Sequence, residues 1–123
     1  MVINWELLKT LYLQGDLATQ LNSLALNLTR IQALATSHTD KPVALHLIRE
    51  SQQFIEWTVP TLDLDSDDID IATQLVELQR QLSRWKLDWE DLWNDGEARE
   101  AISHTAQQWC QRLSQYAQPL IAG

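Results

Sequence analysis

The chain has 123 residues and a formal net charge of −8, with 9 Lys and Arg against 17 Asp and Glu. That length suits a single domain, residues 1–123, built round one core. No apolar run approaches the roughly 18 residues that a membrane span requires. The charge has the wrong sign for generic attraction to a polyanion, which argues against nucleic acid and anionic membrane as partners. The single cysteine, Cys110, forms no internal disulfide and suits a reducing cytoplasm.

The opening "MVINWELLKTLYLQG" carries Trp5 and Glu6 where a secretory signal needs a basic start and an unbroken apolar block, so it reads as part of the fold. Along the rest of the chain apolar residues recur at steps of three and four, and the 3 glycines and 3 prolines are few enough to leave long helices intact. The class expected is all-α, an up-and-down four-helix bundle.

Asp16 is placed to cap a helix whose seam is Leu17, Leu21, Leu24, Leu28, Ile31 and Ala35. Leu7, Leu8 and Leu11 point about 120° to 160° away from that seam at 100° per residue. Two arrangements satisfy this change: a break at "QGD" giving a short extra N-terminal helix, or one continuous helix meeting two surfaces. The break is the preferred expectation. The seam fades at "TSHTDKP", where Asp40 can cap and Pro42 can occupy the first turn of the next helix. That helix buries Ala44, Leu47, Ile48, Ser51, Phe54 and Ile55 and stops at Pro60.

After the acidic connection "TLDLDSDDID", Ser66, Asp67 and Asp68 offer capping oxygens and negative charge to a third long helix. Its seam, Ile71, Leu75, Leu78, Leu82, Trp85, Trp89 and Leu92, is expected to run unbroken to "NDG", with Gly96 as a left-handed cap. Arg80, Arg84, Asp88 and Asp91 project from the opposite side. The last helix starts near Glu97 and carries Ile102, Thr105, Trp109, Leu113, Tyr116 and Leu120.

Trp85, Trp89 and Trp93 lie four residues apart, cover an arc of about 80°, and share the seam's face, so they are core residues first. With Trp109 they are also the candidate lining of a pocket between helices that would take an apolar or aromatic small molecule. Trp57 differs. With His46, Glu50 and Gln53 it forms a polar line on the flank of the second long helix, and an indole on such a line is a candidate anchor for a protein partner or for self-association. Leu26 and Leu45 also point away from their seams.

The residues that could carry chemistry are not in the patterns it needs. A di-iron bundle requires Glu-x-x-His, and the residues three before His38, His46 and His104 are Ala35, Val43 and Ala101. His46/Glu50 and Glu100/His104 are pairs without further ligands. Asp63, Asp65 and Asp67 imitate the first ligands of an EF-hand, but Asp68 stands where its glycine belongs and Gln74 where its closing glutamate belongs. Cys110 sits in the C-terminal half of its helix, where the dipole disfavours a thiolate. Ser103 and His104 are about 100° apart on a helix and make no nucleophile and base pair. No metal, cofactor or catalytic residue is therefore assigned, and the function expected is a non-enzymatic accessory or regulatory interaction module.

Overall fold

A computed structural model describes residues 4–66 and 68–117. Of the residues singled out above, Asp67 and Leu120 lie outside that range. The protein is an all-α helical bundle: α1 (Trp5–Gln14), α2 (Leu17–Ser37), α3 (Lys41–Thr58), α4 (Asp68–Leu87), α5 (Trp89–Trp93) and α6 (Gly96–Ala117), with a 3-10 turn, Val59–Thr61, after α3. The four long helices are α2, α3, α4 and α6. α2 packs most extensively on α6 and then on α3, α3 packs on α4, and the short helices α1 and α5 lie on α3 and α6.

The chain breaks at Gly15, as the change in apolar register predicts. Gly15 is extended (φ −76°, ψ 153°), which ends α1. The Asp16 carboxylate then accepts from the Thr19 N–H at 2.8 Å to start α2. That backbone hydrogen bond, with a smaller contribution from the Thr19 side chain, holds the carboxyl below its ordinary range. At the other end of α2, His38 and Asp40 both take the left-handed conformation, φ 54° each, which a short polar side chain or histidine tolerates. Asp40 consequently fills the capping position of α3 without a side-chain capping bond, and Pro42 sits in the first turn.

The third long helix is shorter than the seam implies. It stops at Leu87, and Asp88 (φ −102°, ψ 16°) separates it from the single turn of α5. Aspartate competes poorly inside a helix and well at its start, and the break lets α5 lie on α6. Gly96 is the first residue of α6 and not a left-handed cap; α5 ends at Asn94 in the right-handed region (ψ −6°). The core is continuous and contains every expected seam leucine and isoleucine of α2 and α3 except Leu17, which is half-buried. On α4 and α6 it holds Leu75, Leu78, Leu82, Ile102 and Leu113.

Candidate functional site: the outer face of α4

The four tryptophans are packed into the core. Trp85, Trp89, Trp93 and Trp109 are 5%, 3%, 5% and 7% exposed and belong to the one core. Trp89 and Trp93 meet at 5.2 Å between ring centroids, and His38 packs on Trp93 at 5.5 Å. The Arg112 guanidinium lies 4.7 Å over the Trp109 ring, and Arg99 donates to the Trp93 carbonyl at 2.5 Å. The four rings expected to line a ligand pocket are thus enclosed in the core, with His38, Arg99 and Arg112 closed over them. Among the described residues the Trp89 indole N–H has no hydrogen-bond partner.

The flank of α3 is also not the free surface that its pattern suggests. α1 lies against it. Trp5 reaches His46 at 6.0 Å and Trp57 at 6.5 Å, while Trp57 also meets Tyr12 at 5.7 Å and Phe54 at 6.0 Å. Trp57 is half-buried and packs on the core. Glu50 accepts from Asn27 Nδ2 of α2 at 3.2 Å and pairs with His46 at 3.4 Å. Gln53 is half-buried as well. The indole on a polar line is explained by a partner inside the chain: Tyr12 stacks on Phe54 at 4.3 Å beside it.

A buried polar ring fixes that seat. The Tyr12 hydroxyl shares a hydrogen bond with Thr58 Oγ1 at 2.5 Å, Thr58 Oγ1 lies 3.3 Å from Gln20 Oε1, and Gln20 Nε2 donates to the Gly15 and Tyr12 carbonyls at 3.0 and 3.4 Å. Burial pushes the Tyr12 hydroxyl up to about 12, against the smaller opposing effect of Thr58. Of the two stray leucines, Leu45 is half-buried against the core and Leu26 is exposed.

The acidic connection spends its carboxylates on its own backbone: Asp68 accepts from the Asp63 N–H at 3.0 Å, and Asp63 from the Asp65 N–H at 3.1 Å. Cys110 is half-buried beside Thr29, Sγ to Oγ1 3.2 Å. Among the described residues no three histidine, cysteine, aspartate or glutamate side chains gather as a metal site would need.

What the side chains leave open is α4. Opposite its core seam, residues 69, 73, 76, 80, 83 and 87 follow one another at steps of four and three, and all six are exposed. Ile69, Val76 and Leu87 are the apolar members, 50%, 45% and 85% exposed. Beside the stripe, an open depression of about 350 Å³ runs between α3 and α4 over Ile55, Val59, Pro60 and Val76, rimmed by Glu56 and Arg80. A second of about 360 Å³ continues it over Leu64, Ile69, Ala72 and Val76. Sequence reasoning passed over this face because Arg80 and Arg84 mark it as solvated. The signal that finds it is a second coiled-coil repeat on one helix, offset from the first. No protein-family model, curated protein or solved structure matches the chain, so its own residues carry the functional argument.

Proposed function

We propose that this chain is a non-enzymatic, cytoplasmic helical-bundle protein that acts as an accessory or regulatory module by binding protein. The observation that carries this reading is the exposed stripe of Ile69, Val76 and Leu87 on a helix whose core seam is already complete. An apolar row at coiled-coil spacing, bordered by arginines and by a shallow apolar groove, is a surface that another helix can fill. Three of the reactive side chains support binding over catalysis, since they are engaged locally: His38 closes the end of α2, His46 pairs with Glu50, and Cys110 meets Thr29. A lone cysteine accords with a reducing compartment.

Affinity capture with the full chain tests the reading, with Val76→Glu as the matched bait. Binding of another protein, or of the chain to itself, that Val76→Glu abolishes is the expected result. Capture that the substitution leaves unchanged, or no association of either kind, refutes it.

A further inference from the structure

We infer that the occupant of the α4 face is α4 of a second copy of this chain, lying antiparallel across a two-fold axis. The inference rests on the binding-module reading and supplies that module's partner. A two-fold pairing must bring a surface against its own reverse, and the α4 stripe matches its reverse position by position. Ile69 meets Leu87 of the second copy, Thr73 meets Ser83, and Val76 lies on the aliphatic stem of Arg80.

The charges select the same direction. The first turn of α4 carries Asp68 and Asp70, and its last turn carries Arg84 and Lys86. This distribution complements the helix's own dipole, and in an antiparallel pair it also sets each acidic end beside the basic end of the other copy. In the register of the stripe, Asp70 comes beside Arg84 of the second copy. Glu77 and Arg80 from both copies gather at the axis, two of each sign. A parallel pair would instead align acid with acid and base with base. A helix of this length offers a seam of about 30 Å, at the small end for a specific interface, so the pairing is reversible and concentration-dependent.

Sedimentation equilibrium of the full chain reads the assembly, and cysteine cross-linking in a Cys110→Ser background reads the register. The wild-type chain is expected to move from monomer to dimer over the micromolar range. Leu87→Glu, at a residue 85% exposed in one copy, is expected to stay monomeric with unchanged helical circular dichroism. The double variant Ile69→Cys/Leu87→Cys is expected to cross-link on mild oxidation. Either single variant is not, because antiparallel packing holds identical positions at the helix ends about 27 Å apart along the axis. A dimer that Leu87→Glu leaves intact, or cross-linking by Ile69→Cys alone, overturns the inference. A wild-type chain that stays monomeric at hundreds of micromolar also overturns it. If that monomer still captures a different protein through Val76, the module reading survives and only self-pairing fails; if it captures nothing, both fall.

Discussion

The flank of α3 and the outer face of α4 are opposites in sequence and opposites again in the fold. On α3, His46, Glu50, Gln53 and Trp57 look like a polar edge carrying one conspicuous ring, yet all four are half-buried, with α1 packed on His46 and Trp57 and α2 bonded to Glu50. On α4, two arginines among small and β-branched residues look like ordinary solvated surface, yet Ile69, Val76 and Leu87 remain in solvent with no helix over them among the described residues. A tryptophan in a polar setting here signals an internal partner, whereas aliphatics aligned on one helix face in a polar setting signal the lack of one. The physical reason is size. An indole left in water exposes so much apolar area that even a short helix gains by covering it, while three separated aliphatics cost far less to leave uncovered.

The core sets the scale against which both regions can be judged. Trp89→Ala removes a ring 3% exposed at the junction of α4 and α5, and is expected to cost about 3 to 5 kcal/mol in urea unfolding. A loss below about 1 kcal/mol would place the α4–α5 junction outside the cooperative core.

Within the covered flank, alkaline titration isolates the Tyr12 ring of hydrogen bonds. The tyrosine's hydroxyl is raised from 10.0 to about 12 by burial, so the unfolded chain ionises first. Its contribution is complete below pH 10 and is lost as pH rises from 10 towards about 12. The loss is expected to reach about 3 kcal/mol, and Tyr12→Phe should flatten that limb of the stability profile. A Tyr12→Phe variant with the same alkaline limb would detach the effect from α1. Trp57→Ala should follow at about 2 to 3 kcal/mol, below the range for a fully enclosed ring because Trp57 is half-buried. A cost below about 1 kcal/mol would return Trp57 to the surface and erase the contrast with α4.

Helix existence and the core seams were legible because they depend on period alone. Leu21, Leu24, Leu28 and Ile31, or Leu75, Leu78 and Leu82, have one face each and one way to bury it. The break at Gly15 was legible for the same reason, since Leu7 and Leu11 could not share that face and are exposed. Three features were not. The stop at Asp88 arises from α5 turning onto α6, a tertiary preference that leaves the apolar spacing of Trp85, Trp89 and Trp93 undisturbed. Gly96 starts a helix where composition suggested an end, because Asn94 closes α5 without positive φ. The cover over Trp57 depends on where a ten-residue helix docks, which no periodicity within α3 encodes. The candidate surface on α4 was present in the sequence as a second repeat, but a helix read for one seam hides the other.

The smallest expected effect is the one that most sharply divides the two regions. Val76→Glu replaces an exposed β-branched residue with a better helix former and sets a carboxylate one turn before Arg80, both mildly favourable. The loss of its partial packing against the α3–α4 groove offsets them, so in dilute solution the variant should unfold within about 0.5 kcal/mol of the parent. At high protein concentration the two should separate. A chain that associates in its folded form gains stability by mass action, and a carboxylate set into the stripe removes that gain. Urea midpoints measured at both concentrations decide the matter. Parent and variant should coincide when dilute, and only the parent should rise when concentrated. A parent whose midpoint is independent of concentration, or a variant that rises with it, would leave the α4 stripe an ordinary exposed helix face and remove the difference from α3 on which the functional reading depends.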